Sequence, residues 1–188
     1  MIEKGGSSLL YHPKWSKAKK HLMSFVCESL HSRVDFQVIN YRRAHDQLGR
    51  AVITVDKVEK LSMCTITAER KEYYREREIR SHVNNFNNED VTSIREIQNQ
   101  AHEQLKKEGI YGQYDFFSAL EDYFRSPITV SLQSKDMLIK ILCILDRRVG
   151  KRTLCKMKES ILEEGLLVQE FYTLRCDAEN ISCYQAGE

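Results

Sequence analysis

Only two prolines occur in the 188 residues, which excludes long proline-rich linkers. None of the six cysteines, Cys27, Cys64, Cys143, Cys155, Cys176 and Cys183, stands in a C-x-x-C pair, so the chain carries no motif of that kind for metal or dithiol redox chemistry. No apolar run reaches 18 residues and no signal-peptide core is present, which predicts a reduced, cytoplasmic protein without a membrane span. The six histidines include no H-E-x-x-H pair, and no D-x-D-x-D-G loop occurs; neither a metal nor a cofactor is expected. The glycines Gly49 and Gly150 lack the G-x-x-x-x-G-K-S/T frame of a Walker loop. No carboxylate is spaced with a histidine or nucleophile in a way that forces acid-base chemistry, so no catalytic residue is assigned.

What is present is an ordinary globular composition, 41% hydrophobic and 30% charged, in a chain long enough to bury roughly 70% of its unfolded surface. One α+β domain is expected over residues 14–178, with a flexible leader at 1–13 and a flexible tail at 179–188. The net charge of +2 conceals blocks of +5 over residues 1–50, −4 over 51–124, +6 over 125–160 and −5 over 161–188. Blocks of alternating sign can attract one another within a fold and do not make the overall basic signature of a nucleic-acid-binding domain.

Read in order, residues from Lys14 to Ser29 carry Trp15, Ala18, Leu22, Phe25 and Val26 at helical spacing, a single buried stripe. Arg33–Tyr41 alternates like a half-buried strand, Arg50–Asp56 is a second strand, and Val58–Cys64 is a third. The run Glu69–Arg80 reads as a largely exposed helix rich in opposite charges. Asn88 is the expected cap of a helix carrying Val91, Ile94, Ile97, Ala101 and Leu105, with Gly109 as its stop. Asp115 is the expected cap of a short aromatic helix that ends at Ser126 and Pro127. His102 and Glu103 are expected on solvated surface. The predicted fold is thus an N-terminal helix packed on a small antiparallel sheet, followed by a mainly helical C-terminal bundle.

The most informative stretch is SKDMLIKILCILDRRVGKR, Ser134–Arg152. Between Met137 and Leu145 only Lys140 is polar, so a helix there has almost no free face and belongs in the core. Ser134 is the expected cap, Asp136 lies in the first turn, Arg147 and Arg148 lie in the last turn, and Gly150 is the expected left-handed stop. Helices follow at Lys151–Glu164 and around Leu167–Cys176. Arg147, Arg148, Lys151 and Arg152 gather at a helix-helix corner and form a candidate anion or partner site; the alternative is that they serve helix ends and internal ion pairs. Tyr41 with Arg42 and Arg43 resembles an aromatic-cation group that stacks single-stranded nucleic acid, with a simple strand end as the alternative.

The blocks WSKAKKHLMSFVCESLHSRVDFQVINYR with ITVDK, and SKDMLIKILCILDRRVGKR with VQEFYTLRC, resemble a family of small bacterial proteins known as a conserved open reading frame of unassigned activity. The resemblance implies a bacterial cytoplasmic protein and carries no functional residue. The functional expectation is a non-enzymatic binding or regulatory protein whose basic corner contacts an acidic protein or nucleic acid. The alternatives are an enzyme with a site near Asp56 and Tyr41, or a toxin-neutralising or otherwise dedicated partner protein. The sequence leaves the oligomeric state open.

Overall fold

The computed structural model of the chain describes residues 15–41, 48–82 and 90–181. The fold is α+β: helix α1 (Trp15–Phe25), a three-stranded antiparallel sheet of β1 (Val34–Asn40), β2 (Gly49–Val55) and β3 (Val58–Cys64), and then helices α2 (Thr65–His82), α3 (Val91–Lys107), α4 (Gln113–Arg125), α5 (Ile128–Ser131), α6 (Met137–Leu145), α7 (Lys151–Leu162) and α8 (Leu166–Ala178). The strand order β1-β2-β3 is a meander with β2 in the middle. That position explains its run of buried residues from Ala51 to Val55, whereas the edge strands keep exposed members. Asp56 and Lys57 form the two-residue connection between β2 and β3, both at positive φ, 50° and 67°, as the primed hairpin turns demand.

Chain contacts divide the protein into two units. The first holds the chain up to Phe36, Ile53–Lys60 and the chain from Phe117 onward, and the second holds Gln37–Val52 and Leu61–Phe116. In the first unit α6 is the core element, with Leu138, Ile139, Ile141, Leu142, Cys143, Ile144 and Leu145 all buried. Helix α8 packs on it through a stripe that includes Phe171, Tyr172 and Cys176. Trp15 at the start of α1 meets Phe117 edge to face, with ring centres 6.3 Å apart. In the second unit α2 packs on α3, where Ile79, Ile97 and Ala101 form a buried cluster.

Several boundaries differ from those read in the sequence. Helix α1 ends at Phe25 rather than Ser29 because the next residue, Val26, forms an antiparallel bridge with Asp146. The same bridge ends α6: Asp146 is extended at φ −76° and ψ 128°, so Arg147 and Arg148 lie in the following turn and not in the last helical turn. Gly150 is extended as well, at φ −75° and ψ 164°, and is the residue from which α7 starts; it is not a left-handed stop. Asp136, not Ser134, caps α6, its carboxylate accepting from Leu138 N–H at 2.8 Å while Ser134 Oγ accepts from Asp136 N–H at 3.1 Å. Asp90 caps α3 by accepting from Thr92 and Ser93, and Asn88 lies outside the described residues. Asp115 sits inside the first turn of α4, where it accepts from Gly112 N–H at 2.7 Å. Gly109 does end α3 in the left-handed region at φ 76°. Pro127, expected only as a breaker, also opens the single-turn helix α5, consistent with its preset φ.

Replacing Ile141, which is completely buried, with Ala is expected to cost about 2–5 kcal/mol. Asp136→Ala removes a cap and is expected to cost about 1 kcal/mol. Urea unfolding monitored by circular dichroism checks both, and equal losses would contradict the placement of Ile141 in the core.

Candidate functional site

The four cations of the basic corner divide by environment. Arg148 is bound inward: its Nε lies 2.9 Å and its Nη2 2.7 Å from Asp146 Oδ2, and its own backbone N–H reaches Asp146 Oδ1 at 2.7 Å. The guanidinium lies 3.9 Å from the centre of the Phe25 ring, a cation-π contact. Asp146 is 1% exposed and also accepts from the Tyr123 hydroxyl. The hydrogen bonds to Asp146 raise the Arg148 pKa further above its ordinary range. Burial first, and then the hydrogen bond to Asp146, raise that of the Tyr123 phenol. Arg148 is therefore an internal counter-charge.

Arg147 uses its backbone N–H to reach Phe25 O at 2.7 Å, while its side chain is exposed and forms no ion pair among the described residues. Lys151 and Arg152 occupy the first two positions of α7. Lys151 Nζ donates to Glu179 O at 2.9 Å, and Arg152 projects into solvent. The first turn of α7 has no acidic residue, and Gly150 brings no capping side chain. The sequence reading that places Arg147 and Arg148 in the last turn of α6 is overturned, because α6 has no basic residue there, whereas Lys151 meets the carbonyl of Glu179, the C-cap of α8. Lys151 and Arg152 sit instead at the positive end of a helix, where the dipole disfavours them.

Arg42 and Arg43 lie outside the described residues. Tyr41 is described, and its hydroxyl lies 3.3 Å from Cys64 Sγ at the end of β3. Burial pushes the Cys64 thiol up, but hydrogen bonds from Tyr41 and from the side chain and backbone of Thr67 outweigh it and lower its pKa. Asp56 belongs to a different place. It sits in the hairpin turn, paired bidentately with Arg33 at 3.0 and 2.7 Å, and this pairing lowers its pKa. In the β1-β2 ladder Asp56 N–H pairs with Arg33 O, and Tyr41 N–H pairs with Leu48 O at the other end. The structure does not bring Tyr41 and Asp56 together.

Asp56 and Arg33 line an open cleft of about 520 Å³ between the hairpin turn and α8, with Val55, Phe171 and Leu174 as apolar walls and a second ion pair, Lys60 with Glu170 at 3.2 Å, on its rim. Both cations of this cleft are already neutralised by carboxylates.

The second unit contains a group that spacing did not reveal. His102 is half-buried, with Nε2 3.0 Å from Asp115 Oδ1 and Nδ1 3.6 Å from Glu72 Oε1. Its ring stacks on Tyr114 at 6.0 Å, and Tyr114 donates to Glu72 at 3.3 Å. The expectation of a solvated His102 is corrected: Glu103 faces water, but His102 turns between α2 and α4 to reach two carboxylates. The group is assembled from three separate helices, α2, α3 and α4, so no local pattern announces it. The neighbouring groove of about 480 Å³ is lined by Glu69, Glu72, Glu76, Gln98 and Asn99. Among the described residues no group of three or more His, Cys, Asp or Glu side chains is arranged to hold a metal ion. No described helix is long and apolar enough to cross a membrane.

The profile of the SF0329 protein family matches residues 14–176, a span that contains both sequence blocks, and the chain belongs to that family. No curated protein and no solved structure matches it.

Two adjacent arginines are expected to behave oppositely. Arg148→Ala leaves a buried carboxylate short of its main partner and is expected to cost about 3 kcal/mol, the low end for a broken buried pair because the arginine side chain remains 35% exposed. Arg147→Ala is expected to stay within about 0.5 kcal/mol of the parent in the same denaturation assay. The pH response follows from Cys143. Burial, with help from Asp146, pushes its thiol from an ordinary 9.0 up to about 12, so the folded state stays protonated where the unfolded state ionises. This contribution is fully present below about pH 9 and is lost as pH rises toward 12. Between pH 7.5 and 10.5 the parent protein is expected to lose about 1–2 kcal/mol more than Cys143→Ala in urea unfolding. Parallel slopes for the two proteins would show that Cys143 ionises freely in the fold.

Proposed function

We propose that this family member is a non-enzymatic binding protein that receives an acidic segment of a partner protein at the corner where α7 begins. The observation that carries this reading is the placement of Lys151 and Arg152 in the first turn of α7, with no carboxylate in that turn and no side-chain cap. Like charge at a positive helix end is unfavourable within the chain, and an external carboxylate relieves it while also meeting free backbone N–H groups. Arg147 stands beside them in the preceding turn, and Lys156 follows Arg152 by one helical turn, exposed. Arg148 contributes rigidity: locked to Asp146 and lying on Phe25, it holds the turn that presents Arg147.

Carboxylates suit this corner better than nucleotides because Arg148 already lies over the ring of Phe25 there, which closes that face to a base. The test is a titration of isotope-labelled protein with a hexaglutamate peptide, followed by amide chemical shifts. Shifts are expected to concentrate at Arg147, Lys151 and Arg152, and the double substitution Arg147→Glu and Arg152→Glu is expected to weaken binding at least about tenfold with the thermal midpoint unchanged. No perturbation of these amides at low salt would sink the reading, as would equal binding by the double variant.

A further inference from the structure

Helix α2 is almost uniformly polar in sequence, yet its charges are sorted by direction. At 3.6 residues per turn, the third of the helix that lies opposite buried Ala68 and Ile79 carries Ile66, Arg70, Tyr73, Tyr74 and Arg77 with two small hydroxyl residues, and no carboxylate. The glutamates lie to the sides. Glu69, Glu72 and Glu76 line the groove toward α3, which Tyr73 at the edge of the strip also borders, and Glu78 pairs with Arg75 at 3.1 Å. The outward strip is open to solvent: Tyr73 is 56% exposed, Tyr74 53% and Ile66 47%.

The strip is also ordered internally. The Arg70 guanidinium lies 5.9 Å from the centre of the Tyr74 ring, and that of Arg77 lies 5.7 Å from the centre of the Tyr73 ring. Arg77 further donates to the Tyr73 hydroxyl at 3.3 Å. The two rings meet edge to face at 5.7 Å and 68°. Each exposed aromatic is thus paired with a cation that has no carboxylate partner among the described residues. Exposing two tyrosines side by side forgoes the burial that aromatic rings ordinarily gain, and tyrosine with arginine is the composition of binding hot spots.

We propose that this outward strip of α2 is a docking surface for single-stranded nucleic acid, with Tyr73 and Tyr74 stacking on bases and Arg70 and Arg77 meeting phosphates. Charge complementarity selects an anionic ligand, because the strip holds two cations and no acid. The exposed ring faces select unpaired planar groups over a plain acidic peptide, which would engage the arginines and leave the tyrosines idle. A duplex is disfavoured because its bases are already stacked on one another.

Fluorescence anisotropy with labelled 15-residue oligothymidylate and oligouridylate tests the proposal on the full chain. Both are expected to bind at low salt, and a preference for one sugar names the natural polymer. The pair Tyr73→Ser and Tyr74→Ser is expected to weaken binding at least about tenfold. The pair Arg70→Gln and Arg77→Gln is expected to reduce the salt slope by about 0.7 per arginine. All four residues are on the surface, so the thermal midpoint should not move, and Arg147→Glu with Arg152→Glu should bind the oligonucleotides like the parent. Absence of binding at low salt overturns the proposal, and so does binding that survives both α2 double variants. Displacement of the oligonucleotide by hexaglutamate at matched charge would assign the strip to an acidic protein instead.

Discussion

Asp146 carries a carboxylate almost wholly removed from water, and the first unit is arranged around keeping it satisfied. Desolvating a carboxylate costs several kcal/mol, and here that cost is offset by a hydroxyl from Tyr123, a guanidinium from Arg148 and the Arg148 backbone N–H. These partners bring three distant pieces of chain to one point: α4, the turn after α6, and the end of α1 through the bridge between Val26 and Asp146. The bridge uses backbone groups that a continuing helix would have needed. Termination of α6, the exposure of Arg147 and the direction in which α7 starts therefore share a single cause.

A second buried charge reinforces the same place. Arg175 of α8 is 1% exposed, and its guanidinium donates to Leu145 O at 3.0 Å and Val149 O at 3.2 Å, two carbonyls left open around the end of α6. Leu145 O also accepts from Cys27 N–H at 2.8 Å, so the helix end is closed by chain from both sides rather than by a glycine. The Arg175 charge faces Glu179 at 3.3 Å, and Glu179 accepts in turn from the Cys27 thiol at 2.9 Å. The alternating charge blocks find expression in this unit as well: Lys140 of the +6 block pairs with Glu164 of the −5 block. The clustered cations of the +6 block are consequently not one surface. Some are neutralised at home, and those remaining define the exposed corner.

In the second unit polarity is sorted rather than cancelled. The side of α2 toward α3 collects glutamates and the His102 group, while its outer side collects tyrosines and arginines. A helix with so little apolar content gains little from burial, so i,i+3 and i,i+4 contacts and pairs such as Arg75 with Glu108 at 2.8 Å contribute much of what holds it. That leaves the outer side free of structural duty, and its arginine-tyrosine pattern becomes the feature in need of a functional explanation.

Local patterning was sufficient for the elements themselves. The alternation of β1, the span of β3, the stripe of α3 with its stop at Gly109, and the core character of α6 follow from spacing and composition, because side-chain periodicity reports which face meets water. Patterning also carried the order of helix, sheet and helical bundle. What it could not decide was every feature set by residues far apart in the chain. Whether α6 ended through Gly150 or through Asp146 depended on a bridge to Val26, some 120 residues earlier. Whether four clustered cations were one site or several depended on which of them met Asp146 and Glu179. Whether His102 faced water depended on Glu72 and Asp115 arriving from other helices. Each outcome rests on through-space electrostatics and backbone pairing that only the folded chain assembles, and so the candidate corner was visible in the sequence while its division into an inward-paired arginine and an exposed surface free of ion pairs among the described residues was not.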